Sequence, residues 1–135
     1  MKPMTACERA VWEDAEGSFY FNSKRSMFRT RTSQKNRQVL EDYRAGAELD
    51  GIECRVLVEQ RKSTERFQYR ITMYYTEISG ITNVARELKL THPWRRHPEK
   101  QQRIEDLKKM LAVPKSRVMR KIVEAEAALR ELQTS

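Results

Sequence analysis

The sequence predicts an α+β fold: a small antiparallel sheet with packed helices and a C-terminal antiparallel helix pair. Two stretches carry the sheet. In "GIECRVLVEQR", Ile52, Cys54, Val56 and Val58 fall on one side while Glu53, Arg55 and Glu59 fall on the other. In "ERFQYRITMYYTE", Phe67, Tyr69, Ile71, Met73 and Tyr75 alternate with Gln68, Arg70, Thr72, Tyr74 and Thr76. Successive side chains of a strand point to opposite faces, so this alternation marks two strands. The polar interval at Lys62, Ser63 and Thr64 joins them as an antiparallel hairpin with one buried face. A third stretch carries the helix pair. Ile104, Leu107 and Leu111 are spaced by three and four, and after Ala112, Val113 and Pro114 the same spacing resumes at Val118, Ile122, Ala125, Leu129 and Leu132. Proline is tolerated in the first turn of a helix and breaks one in its middle, so the chain is expected to turn there.

The remaining elements follow in order. Thr5 to Glu13 reads as a short helix with Ala6, Ala10 and Trp12 as its apolar contacts. Gly17 opens the aromatic run Phe19, Tyr20 and Phe21, and "NSKRS" separates it from "MFRTRT", a pattern for a small hairpin. From Ser33 the period becomes helical, with Val39, Leu40, Tyr43 and Ala47 on one stripe and Ser33 or Asn36 as the cap. After Ser79 and Gly80 a further helix carries Val84, Ala85 and Leu88 inward, and Thr91, His92 and Pro93 stop it. Residues before proline are pushed away from helical geometry, so "THPWRRHPEK" is expected to be an extended connection. The organisation is thus a sheet-containing region over 1–80 and a basic helical region over 81–135, packed as one compact domain.

Charge is the feature that bears on function. The chain of 135 residues has a formal charge of +8, which favours polyanions or acidic partners. The excess is uneven. Residues 24–37 hold Lys24, Arg25, Arg29, Arg31, Lys35 and Arg37 with no acid, whereas 39–53 hold Glu41, Asp42, Glu48, Asp50 and Glu53 against Arg44. Two cysteines, Cys7 and Cys54, make no disulfide framework, and a reducing, cytoplasmic setting is the expectation. With no apolar run of signal-peptide or membrane-spanning length, no membrane association is expected.

Catalytic chemistry has little to stand on. His92 and His97 lie five apart across prolines with no cysteine or carboxylate at a close ligand spacing, no glycine-rich phosphate loop is present, and Cys54 alternates with the apolar set as a core residue would. Asp14 with Glu16, or Glu41 with Asp42, would join a metal site only through tertiary contacts. The expectation is a protein without catalytic activity and without a cofactor.

Residues 104–122, "IEDLKKMLAVPKSRVMRKI", resemble the helix-turn-helix family of DNA-binding units. The resemblance rests on a first helix ending at Leu111, small Ala112 and apolar Val113 in the turn, and Val118 with Ile122 holding the second helix. Lys108, Ala112 and Lys121 stand where such motifs favour a small residue, a glycine and an apolar residue. The resemblance implies that the second helix enters a major groove. Ser116 and Arg117 are then the candidates for base edges, and Lys115, Arg120 and Lys121 for phosphates. The alternative is an ordinary antiparallel helix pair. The stripe Val118, Ile122, Ala125, Leu129 and Leu132 either joins two protomers or packs on the sheet of its own chain.

A second contact is expected on the first hairpin, where Arg29 and Arg31 share a strand face beside Lys24 and Arg25, with Phe19 or Tyr20 available to stack on bases. The alternative there is an aromatic core with a solvated basic face. Arg95 and Arg96 complete the basic candidates. The functional expectation is a small DNA-binding regulator, favouring duplex DNA over RNA, with a homodimer as one outcome of the α-helical stripe. Its rival is an adaptor or inhibitor that engages an acidic protein surface.

Overall fold

The computed structural model describes residues 2–22, 25, 27–62, 70–112 and 122–133, the side chains of 61, 62, 70, 71, 122 and 123 excepted. Its elements run α1 (Ala6–Glu16), β1 (Gly17–Asn22), β2 (Met27–Gln34), α2 (Arg37–Leu49), β3 (Arg55–Lys62), β4 (Arg70–Ser79), α3 (Ile81–Thr91), a 3₁₀ turn (His92–Trp94), α4 (Pro98–Ala112) and α5 (Ile122–Gln133). The four strands form one antiparallel sheet in the order β1-β2-β4-β3, so the fold is α+β as the alternation predicts.

Local chemistry explains the element ends. Thr5 closes a capping box on α1: its hydroxyl accepts from the Glu8 amide at 3.2 Å while its own amide donates to Glu8 Oε1 at 3.2 Å. The helix then passes into β1 without a loop. Gly17 makes this junction, because a Cβ there would collide with the carbonyl of Glu13. Asn36, one of the two expected caps, accepts from the Gln38 amide at 2.9 Å, whereas Ser33 belongs to β2. Gly80, at φ 89°, supplies the left-handed turn that carries β4 into α3.

One apolar core runs from Met4 to Leu132. Phe21, Phe28 and Ile78 enter it from the sheet, Tyr43 and Ala47 from α2, Val84, Ala85 and Leu88 from α3, and Ile104, Leu107 and Leu111 from α4. The α5 stripe is part of the same core. Ala125 and Leu132 are buried and Leu129 packs against the cluster, with α3 as the main neighbour of α5. This corrects the expected oligomer interface at Ala125 and Leu132, whose apolar area is already removed from water within the chain, mainly against α3 and α4, while Leu129 is half-buried on the same cluster. Val118, the Ile122 side chain and the Ile71 side chain lie outside the described residues.

Two further expectations are corrected. The segment after α3 is not extended throughout: His92–Trp94 form a 3₁₀ turn, and only 95–97 continue as irregular chain. Thr91 holds that turn, its hydroxyl donating to the Glu87 carbonyl at 2.8 Å and accepting from Arg95 Nη2 at 2.6 Å. In β4 the faces are reversed. Thr76 lies opposite Val56 and Thr32 on the buried side, and Ile78 lies opposite Thr30. Tyr75 and Met73 therefore point to the other face, because residues one apart in a strand cannot share a side. Val58 keeps the predicted side and is nonetheless 59% exposed.

Candidate nucleic-acid interface

The sheet has two unlike faces, and its antiparallel geometry sorts the side chains between them. Along β2 burial alternates: Phe28, Thr30 and Thr32 are buried against the helices, while Met27, Arg29, Arg31 and Ser33 are not. Strand register extends the second set across all four strands. Ser18, Arg31, Glu77 and Arg55 form one transverse row, Tyr20 and Arg29 a second beside it, and Ser33, Tyr75 and Leu57 a third.

This open face is built as a charged, aromatic surface with fixed side chains. The Arg29 guanidinium lies 4.8 Å from the centroid of the Tyr20 ring, and that of Arg31 lies 4.7 Å from the Tyr75 ring. Such stacking orients the planar cation and leaves donors along its edge. Glu77 holds the centre. Its Oε1 accepts from Arg31 Nε at 3.0 Å and Nη2 at 2.8 Å, and its Oε2 accepts from Arg55 Nη2. Burial under the two arginines would raise the Glu77 carboxyl, but their hydrogen bonds and positive charge outweigh it and hold the group below its ordinary value. Arg31 and Arg55 remain 35% and 58% exposed at their side chains, so each can meet a second anion. At the β1–β2 turn, exposed Arg25 donates its backbone amide to Asn22 Oδ1 at 3.1 Å, and Asn22 Nδ2 donates to the Tyr20 hydroxyl at 3.2 Å.

The structure therefore brings Arg29 and Arg31 to one side of the sheet, with Arg25 in the turn beside them, and places Arg95 and Arg96 away from it among the helices. Phe19 faces inward, stacked at 5.7 Å on Phe21, and of the two predicted stacking aromatics only Tyr20 is on the open face. Arg95 is a correction. It is 2% exposed, its Nη2 donates to Glu13 Oε1 at 2.7 Å, its Nη1 donates to Asp14 Oδ1 at 3.0 Å, and its guanidinium lies over Phe19 at 5.4 Å. A guanidinium enclosed by two carboxylates and a ring has no path to a phosphate. Arg96 is exposed on the helical side, where its amide donates to Asp14 Oδ2 at 2.7 Å. Lys24, Lys115, Ser116, Arg117, Arg120 and Lys121 lie outside the described residues, as does the turn of the helix-turn-helix resemblance.

Arg55, Tyr75 and Glu77 complete the surface and were not singled out by the sequence. Arg55 was legible as the polar side of its strand; Tyr75 was not, because its strand pattern gives both faces aromatic or aliphatic residues. The acidic pair Asp14 and Glu16 is divided: Asp14 is occupied by Arg95 and two backbone amides, and Glu16 is exposed. Among the described residues no group of three or more histidine, cysteine, aspartate or glutamate side chains is arranged to hold a metal ion. No helix among them is long and apolar enough to cross a membrane.

Compared with known proteins, the chain matches no family model, no curated protein and no solved structure.

Proposed function

We propose that this protein binds nucleic acid, duplex DNA in the first instance, through the open face of its sheet. The observation that carries the reading is the pair of tyrosine-stacked arginines, Arg29 on Tyr20 and Arg31 on Tyr75, on the sheet face opposite the one that the described helices bury. Arginines held in this way present donors to phosphate oxygens or guanine edges with less conformational freedom to lose on binding than solvated side chains. A strand ribbon is also narrow enough to enter a major groove. The net charge of +8 supplies the sequence-independent attraction. Lys115, Arg117, Arg120 and Lys121, if they enter a groove as the helix-turn-helix resemblance implies, add a second contact to the same reading.

The test is duplex binding over a salt series with the Arg29→Gln/Arg31→Gln double variant, its folding checked by thermal melting. Each lost phosphate contact should lower the steepness of log K against log salt by about 0.9. Equal affinity and equal slope in a folded double variant would remove the sheet face from the function. Failure of the wild type to bind any nucleic acid, together with a defined complex with an acidic protein, would favour the adaptor reading instead.

A further inference from the structure

Behind the sheet, the helical layer encloses a cluster of charge. Arg9 of α1 is 0% exposed, and its guanidinium donates through Nε to both Glu87 oxygens at 3.1 and 2.9 Å, through Nη2 to Glu87 Oε1 at 2.8 Å and Asp50 Oδ2 at 2.7 Å, and through Nη1 to the Met4 carbonyl at 3.1 Å. One turn along α1, Glu13 is 1% exposed and receives Arg95 Nη2 at 2.7 Å. Between the two glutamates sits Tyr43 of α2. Its single hydroxyl is within reach of Glu13 Oε2 and also lies 3.2 Å from Glu87 Oε2.

Proton and charge bookkeeping do not balance if every acid is ionised. Among the described residues two guanidiniums, Arg9 and Arg95, then face four carboxylates, Glu13, Glu87, Asp14 and Asp50, and the two least exposed acids converge on the one Tyr43 hydroxyl. Tyr43 has one hydroxyl proton to offer two acceptors, so two buried carboxylates that share it are short of one proton. Glu87 is the better anion, since Arg9 grips both its oxygens. Glu13 has one guanidinium nitrogen.

We infer that Glu13 stays protonated in the folded chain and donates a hydrogen bond to Glu87, so that a buried carboxyl–carboxylate pair forms a proton-dependent clasp between α1, α2, α3 and the 92–97 link. The groups around Glu13 among the described residues are Tyr43 on α2, Glu87 on α3 and Arg95 on the link, with Arg9 held on Glu87 and with Asp14 and Thr91 held on Arg95. Cys54, beside Tyr43 and Glu87, is pushed up to about 12 by its burial and stays a neutral thiol. Burial, with the neighbouring charge of Glu87, likewise moves the Glu13 carboxyl well above its ordinary range, against the pull of Arg95. The clasp is complete at acidic pH and opens as the pH rises through the folded value of Glu13. It anchors the last turn of α1, which leads through Gly17 into the strand that bears Tyr20. It does not depend on what the sheet face binds.

The test is denaturant unfolding of the full chain between pH 5 and pH 7, wild type against Glu13→Gln. A proton held only in the folded state makes the unfolding constant of the wild type rise by up to about tenfold per pH unit above the unfolded value of the group. Glu13→Gln keeps the shape and a donor toward Glu87, and should remove that dependence while histidine contributions cancel in the comparison. The same slope in both proteins would overturn the inference. Should Glu13→Gln fail to fold, the wild type decides: one buried neutral carboxylic acid seen by its infrared carbonyl band at pH 7 is expected, and the absence of that band overturns the clasp.

Discussion

The two sides of the sheet use the same side chains for opposite ends. On the open face, Arg31 and Arg55 flank Glu77 while keeping a third or more of their own surface in water. In the helical layer, Arg9 and Arg95 flank Glu87 and Glu13 with almost none. Exposed guanidiniums stay available to a ligand, because water and salt weaken the internal ion pair. Enclosed ones are committed, because the cost of taking them out of water is met only when every donor finds its acceptor. Location, and not composition, decides whether an arginine of this chain joins helices or faces a partner. The pH responses are opposite too. Glu77 is held below its ordinary value, so its contribution is present above the unfolded value and lost as the pH falls through the folded one. Glu13 is held above, so its contribution is present in acid and lost as the pH rises.

The largest effect should come from breaking the inner cluster at Arg9. Arg9→Met keeps much of the apolar stem and leaves Glu87 without its cation. Removing one partner of a buried pair costs about 3–5 kcal/mol. Chemical denaturation should report that loss with little dependence on salt; a loss under about 1 kcal/mol, as for a surface pair, would erase the distinction between the two sides. Tyr43→Phe is the next probe. It removes one hydroxyl from between two carboxylates, without opening a cavity, and should cost about 1–3 kcal/mol as an acceptor loses its donor.

These inner charges also mark where the sequence was hard to read. The antiparallel strands, the stripes of α2, α3 and α4, and the helical α5 followed from spacing, because apolar residues repeat at two or at three and four, although in β4 that repeat named the wrong face. Arg9 and Glu13 are four apart on α1, and Glu87 is three after Val84 and four before Thr91, so all three occupy inward positions of their helices. Charged residues ordinarily mark the wet side, and only tertiary pairing reverses that. Arg95 was misread for the same reason: in a basic connection it looked free, and its partners Glu13 and Asp14 lie about eighty positions away. On the open face, Arg29 and Arg31 were legible from alternation within β2. Their assembly with Glu77 and Arg55 was not, since the row Ser18, Arg31, Glu77 and Arg55 exists only once strand order and register are fixed.

The smallest structural effect, and the most pointed functional one, belongs to Glu77→Gln. The substitution keeps the size of the side chain and an oxygen acceptor, but it removes the negative charge from the centre of the row. Its arginine partners are well hydrated, so folding stability at neutral pH should change by less than about 1 kcal/mol. The acid-side loss of stability assigned to Glu77 should shrink at the same time. Binding should move the other way from every arginine substitution: with Arg31 and Arg55 no longer neutralised from within, duplex affinity should rise and its salt dependence should steepen. If affinity falls, the carboxylate is needed to hold the two guanidiniums in a binding geometry, and positioning outweighs charge on this face. If nothing changes, the row is a surface ion pair like any other, and the ligand must be sought elsewhere on the molecule.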